Sequence, residues 1–152
     1  MISTAFPTYC LAYGTDWIHP IPRGYLRGGE YFAYAVIDEI YGPGWQPLRA
    51  VDAWWQDASK IRLRCHVPEG GLVVDTSGDI IGTDSILTNC GFEFDDGSGS
   101  PPSITDVSIV SGSTDTLEIT LSSTPTGLNK RLFIGNRPIG PSGEGRNLSG
   151  PR

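Results

Sequence analysis

Between residues 60 and 67 the chain alternates strictly, with Ile61, Leu63, Cys65 and Val67 at every second position and Lys60, Arg62, Arg64 and His66 between them. A period of two sends the two sets to opposite faces of an extended chain. Residues 60–67 are therefore predicted to form a half-buried strand with one apolar and one basic face. Upstream the period is different. Leu26, Phe32, Val36, Ile37 and Ile40 gather near one face of a 3.6-residue repeat, with Glu30, Asp38 and Glu39 more polar, which predicts an amphipathic helix from about Arg23 to Tyr41. Gly42 followed by Pro43 supplies its stop. Gly24, Gly28 and Gly29 each cost about 1 kcal/mol relative to Ala in a helix interior. They either admit close packing against a neighbour or delay the true start of the helix to Gly29.

Residues 42–49, Gly-Pro-Gly-Trp-Gln-Pro-Leu-Arg, read as an extended connector, because proline restricts its predecessor and glycine loosens the chain. Further strands are predicted at residues 72–75, 91–94, 104–110, 116–121 and 131–135, separated by clusters of Gly, Ser, Asp and Pro. Residues 107–110 and 117–121 flank a turn and form a hairpin. Short strands at this spacing predict a β-sandwich. A short apolar run, Tyr9 to Tyr13, follows Pro7 and is a candidate buried strand. Residues 95–102 are the most loop-like segment, and residues 136–152, nearly devoid of apolar anchors, read as an extended arm ordered by a partner. The units are thus 1–42, 43–135 and 136–152.

Composition supports this picture. The 152 residues include 20 Gly and 12 Pro, with 38% hydrophobic and 18% charged residues, which favours a turn-rich, mainly β protein with a packed core. A formal charge of -6 gives no cationic footprint for nucleic acid. Cys10, Cys65 and Cys90 are odd in number and widely spaced, which predicts free thiols rather than a disulfide framework or a zinc site. No stretch approaches the roughly 20 apolar residues of a bilayer span, and the N-terminus has no signal-peptide pattern, so membrane insertion is not expected.

The candidate chemistry lies in Asp16-Trp17-Ile18-His19, a loop closed by Pro20 and Pro22. Acyl-transfer hydrolysis needs a hydroxyl nucleophile, an imidazole to accept its proton and a carboxylate to fix the imidazole tautomer. Asp16 and His19 have the residue types and spacing for the last two roles. The alternative is a loop histidine that hydrogen-bonds Asp16 with no part in catalysis. His66, on the basic face of a strand, reads as a surface or interface residue.

An apolar run, the Asp-x-x-His loop, then Gly24-Tyr25-Leu26 and an amphipathic helix resemble the C-terminal catalytic element of SGNH/GDSL hydrolases. Trp45-Gln46-Pro47-Leu48, the strand ending at Pro68, Leu72-Val73-Val74-Asp75-Thr76 and the arm with Arg146-Asn147-Leu148 resemble the tail of phage-type SGNH esterases. In those proteins a β-sandwich follows the hydrolase domain. The likeness spans most of the chain, but only Asp16 and His19 correspond to catalytic positions. The family's Gly-Asp-Ser nucleophile motif has no counterpart ahead of Asp16, where Ser3 is the sole serine. Asp84-Ser85-Ile86 comes after the histidine, in a glycine-flanked turn without the helix that should follow.

The resemblance implies a mainly β chain: a C-terminal β-sandwich preceded by the strand, loop and helix remnant of a flavodoxin-like α/β/α SGNH fold. The remainder of that fold, with its serine and oxyanion donors, is expected from a neighbouring protein chain. The implied activity is deacetylation of bacterial surface polysaccharide, without metal or organic cofactor, in an oligomeric assembly with virion proteins, on a phage particle or released outside the cell. A different class of function is a non-enzymatic virion module, a tail fibre or spike component, that assembles or binds glycan. Trp17, Trp45, Trp54 and Trp55 serve either as a sugar-stacking platform or as filling for the seam between helix and sandwich. Lys60, Arg62 and Arg64 form a solvated face or a contact for an acidic glycan or neighbouring subunit.

Overall fold

The computed structural model describes residues 11, 19–42, 44–74 and 88–134. It is mainly β, with one α-helix and two antiparallel sheets. The helix, α1, spans Pro22–Tyr41. Pro22 suits the first helical position, where its missing N–H has no partner to lose. At the other end Gly42 takes a left-handed φ of 66° and donates its N–H to the Asp38 carbonyl at 2.7 Å. A side chain in that conformation would be strained, so glycine ends the helix cleanly. The helix begins ahead of Gly24 and not at Gly29. Gly24 and Gly28 are both buried, which favours the close-packing reading of these glycines.

Four strands make the larger sheet: β1 (Arg49–Trp55), β2 (Lys60–His66), β4 (Ile104–Ile109) and β5 (Thr116–Leu121), in the order β1-β2-β5-β4. β3 (Phe92–Asp95) pairs with β6 (Arg131–Ile134) in a separate two-stranded sheet. The register of the larger sheet sorts its side chains by face. Ile61 lies opposite Ile119, which lies opposite Val107, and Leu63 lies opposite Leu117, which lies opposite Ile109. Between these rows, Arg62 lies opposite Glu118 and Glu118 opposite Ser108. The alternation seen at residues 60–67 is thus the two sides of one sheet.

The apolar side builds the core. Ile61, Leu63, Leu117, Ile119 and Leu121 cluster with Phe92 from β3, flanked by half-buried Phe94, Ile104, Val107, Ile109 and Leu132. Ile119 is 0% exposed. Each fully buried aliphatic side chain of this kind contributes about 1.5–3 kcal/mol of transfer free energy. Both sheets therefore share one core, although they exchange no backbone ladder.

β5 occupies the predicted 116–121, and β4 and β5 form the predicted hairpin, closed by the Val110 N–H on the Thr116 carbonyl. β3 begins one residue later than expected, because Asn89, Cys90 and Gly91 take left-handed φ values of 54°, 55° and 77°. Two expectations fail. Residues 49–55 form β1, although the sequence offered only a connector up to Arg49. Every residue of that strand is exposed, so Arg-Ala-Val-Asp-Ala-Trp-Trp carries no one-sided burial pattern to read. Conversely, residues 72–74 are not a strand: Leu72 donates its N–H to the Thr114 carbonyl at 2.8 Å and the segment has no ladder. The strand expected within residues 9–13 and the arm at 136–152 lie outside the described residues, except that Leu11 is buried in a bend.

Candidate functional site

His19 is exposed and sits just ahead of Ile21, whose extended backbone leads into α1. The Pro20-Ile21-Pro22 segment thus places His19 at the helix entrance. Asp16, with Trp17 and Ile18, lies outside the described residues, as do Ser3 and the Gly82 to Ile86 turn. Of the two sequence-predicted site residues, the structure therefore positions His19 alone.

α1 has two unlike sides. On one, the chain after Gly42 folds back: Trp45 donates its backbone N–H to Asp38 Oδ1 at 2.7 Å. Its indole stacks on Tyr34 at 5.4 Å between centroids and tilts against Tyr31 at 6.3 Å. Tyr31, Tyr34 and Asp38 recur at three- and four-residue intervals, so they share a face. The other side carries Leu26, Phe32, Val36, Ile37 and Ile40, all exposed, with Leu26 at 67% and Ile40 at 65%. A helix of 20 residues is about 30 Å long. An apolar stripe on such a helix ordinarily faces a core, and a large exposed one marks an interaction surface.

The described tryptophans, Trp45, Trp54 and Trp55, do not form one cluster, and Trp17 lies outside the described residues. Trp45 belongs to the helix seam. Trp55, on the core-facing side of β1, meets Phe94 edge-on at 6.1 Å, with Lys130 Nζ 5.7 Å from its ring centre. Trp54 alternates to the opposite side, across from Arg62, and is 38% exposed. Of these three, Trp45 is the one that packs on α1.

The basic face of β2 is neutralised by carboxylates. Lys60 Nζ bonds Glu118 Oε1 at 2.7 Å, and Arg62 Nε and Nη2 reach Oε2 at 3.3 Å. Arg64 approaches Asp52 at 3.8 Å. The Lys60 hydrogen bond and charge lower the Glu118 pKa against a smaller desolvation cost, and the same bond raises that of Lys60. His66 at the end of β2 is half-buried, and its Nε2 is shielded from water without a hydrogen-bond partner. Cys65 and Cys90 are free, half-buried and packed against the core. Desolvation raises both thiols' pKa values, which disfavours the reactive thiolate. Among the described residues no group of three or more His, Cys, Asp or Glu side chains is arranged to hold a metal, and no helix is long and apolar enough to cross a membrane.

The sequence missed Asp96. In the segment read as the most loop-like, its side chain is 0% exposed and accepts N–H bonds from Ser98 at 3.0 Å, Thr126 at 3.1 Å and Gly127 at 2.9 Å. An Asp followed by Gly-Ser looks like any solvated turn, and nothing local signals the Thr126-Gly127 partner thirty residues on. The carboxylate joins the exit of β3 to the approach of β6, a structural duty.

Compared with protein-family models, curated proteins and solved structures, the chain matches none. A functional reading consequently rests on the residues themselves: His19 at the helix entrance, the open apolar stripe behind it, and the two-faced sheet.

Proposed function

We propose that this chain is the C-terminal part of a phage-type SGNH esterase that deacetylates bacterial surface polysaccharide, its nucleophilic serine contributed from outside residues 1–152. Residues 1–42 supply the catalytic loop and last helix, residues 43–135 a β-sandwich accessory domain, and residues 136–152 an arm for assembly with virion proteins. The observation that carries this reading is the exposed stripe of α1, Leu26 to Ile40, on the helix that His19 precedes. In an α/β/α layer the last helix buries such a stripe on a sheet, and a neighbouring chain bearing the serine would provide that sheet.

In this arrangement the serine hydroxyl attacks the acetyl carbonyl while His19 Nε2 accepts its proton, and Asp16 holds the other ring nitrogen as donor. The imidazolium then protonates the departing sugar oxygen, leaving an acetyl-serine. Water, deprotonated by His19, releases acetate and restores the serine. General-base catalysis of this kind contributes about a hundredfold to ten-thousandfold in rate.

A non-enzymatic virion module that binds glycan is the second reading, favoured by Trp54 standing exposed on the polar side of the sheet. Serine-directed fluorophosphonate labelling and acetyl-ester hydrolysis, on this chain alone and co-expressed with the polypeptide encoded immediately upstream, separate the two. The esterase reading expects a labelled serine on the partner and loss of hydrolysis on His19→Ala. An assembly that neither labels nor hydrolyses, or one whose rate is indifferent to His19→Ala, rejects it.

A further inference from the structure

The outward side of the four-stranded sheet is largely polar. Across it run Trp54, Arg62, Glu118 and Ser108 in one row, with Asp52, Arg64 and Thr116 in the next and Lys60, Thr120 and Asp106 on the other flank. The cations Arg49, Lys60, Arg62 and Arg64 number four and the carboxylates Asp52, Asp106 and Glu118 three, so the side is close to charge-balanced, with one net positive charge. Trp54 is the one large apolar group among them, 38% exposed.

We propose that this side of the sheet is a binding site for a neutral polysaccharide, with a pyranose ring stacked on the Trp54 indole and its hydroxyls bonded by Asp52 and Arg62. A sugar ring presents C–H groups on its faces and hydroxyls at its rim, so it needs an aromatic plate bordered by planar hydrogen-bonding groups. Arg62 lies directly across from Trp54, which sets their Cβ atoms roughly 5 Å apart. Asp52 lies two residues along the same strand side, roughly 7 Å away, which is the width of one ring. Arg62 bonds Glu118 through Nε and Nη2, which orients its guanidinium and leaves Nη1 for a ligand. Asp52 meets Arg64 only at 3.8 Å, beyond a good hydrogen bond, and so keeps acceptor capacity. With three of its four cations facing carboxylates, the side offers no concentrated positive patch for phosphate or acidic peptide, and a single indole among polar groups is a small apolar patch for a protein core contact.

The site uses neither His19 nor a serine, so it stands or falls apart from the esterase reading. The test is affinity electrophoresis of the intact chain through gels containing hydroxyethylcellulose, dextran, galactomannan or glycol chitin, with polygalacturonate as the acidic arm. The expected result is retardation by at least one neutral polymer, weakened by about tenfold or more in Trp54→Ala, weakened also in Asp52→Ala, and partly kept in Trp54→Phe. Circular dichroism and the unfolding midpoint establish that each variant is folded. Should Trp54→Ala fail to fold, Asp52→Ala and Trp54→Phe decide the matter. The proposal is overturned by no retardation in any neutral polymer, by retardation indifferent to these substitutions, or by retardation confined to polygalacturonate and abolished by salt.

Discussion

Asp96 and Gly127 are in such close contact that a β-carbon on residue 127 would collide with the Asp96 carbonyl oxygen. The Gly127 N–H meanwhile donates to Asp96 Oδ2 at 2.9 Å, and Asn129 donates to the Asp96 carbonyl at 3.1 Å. Glycine is required here for approach, not for an unusual φ. Gly127→Ala must push the two backbones apart and release several hydrogen bonds of a buried carboxylate at once. Its thermal midpoint is expected to fall by at least about 5 °C. A midpoint within error of the parent's, measured by circular dichroism, would contradict the role assigned to this contact.

The same carboxylate makes acid stability predictable. The Ser98 side chain first, then the Gly127, Ser98 and Thr126 amides, hold the Asp96 pKa down to about 2 against the opposing effect of desolvation. A depressed folded-state pKa stabilises fully above the unfolded value, about 3.9, and that contribution disappears as pH falls through the folded value. Glu118 and Asp115 are shifted in the same direction. Stability should therefore be level from about pH 6 to 5 with respect to these groups and decline from about pH 4 towards 2. Asp96→Asn should lower the plateau and flatten the decline, a pattern that denaturant titrations across this range would reveal.

Gly29 offers a prediction of the opposite sign. It lies inside α1 with nothing within 4 Å of where a β-carbon would stand. Gly29→Ala should stabilise the helix by about 0.5–1 kcal/mol, through the lower entropy of the unfolded chain. Its position near Leu26, Ala33 and Ile40 on the open stripe adds a second consequence. If a serine-bearing partner packs closely there, the added methyl should weaken association while raising stability. A gain in midpoint together with a loss of affinity would distinguish an interface glycine from one that merely loosens the helix.

How far the sequence carried can be judged from individual segments. The hairpin of β4 and β5 and the position of β2 were legible because Ile61, Leu63, Leu117 and Ile119 are buried on one side while Lys60, Arg62 and Glu118 face the other. The period of two is the direct imprint of that asymmetry. The strand β1 was illegible because neither of its sides is buried, and Leu72 misled because its apolar character serves the flank of the core without a ladder. Asp16 and His19 were singled out by spacing and residue type; His19 stands at the helix entrance, and Asp16 lies outside the described residues. The sequence could not indicate that the apolar stripe behind it would remain exposed, since amphipathic periodicity is the same whether the covering surface is internal or supplied from elsewhere.

The core itself should respond as a single unit. Ile119 is 0% exposed and lies between Ile61 of β2 and Val107 of β4. Ile119→Ala removes buried methylenes and leaves a cavity in the densest part of the sheet, at a cost of about 2–5 kcal/mol. Ile40→Ala, which truncates a side chain of the same size at 65% exposure, should change stability by less than about 0.5 kcal/mol. Equal losses at the two positions would mean that the helix stripe is covered in solution, by another part of this polypeptide or by a second copy of it.

That contrast leads to the prediction with most bearing on function. Val36 and Ile37 flank the exposed stripe on its two sides, 53% and 48% exposed, so a charged side chain there meets water in the isolated chain but a desolvated surface in any complex that covers the stripe. Val36→Glu combined with Ile37→Lys should leave the unfolding midpoint of the isolated chain within a few degrees of the parent's. It should also reduce binding of a hydrophobic dye. With the proposed serine-bearing partner present, the same pair of substitutions should abolish co-purification and the proposed ester hydrolysis together, because two unpaired charges would be buried against an apolar sheet. Hydrolysis that survived the double substitution would place the catalytic assembly on some other surface. A collapse of stability in the isolated chain would instead show that these residues are already buried within this polypeptide.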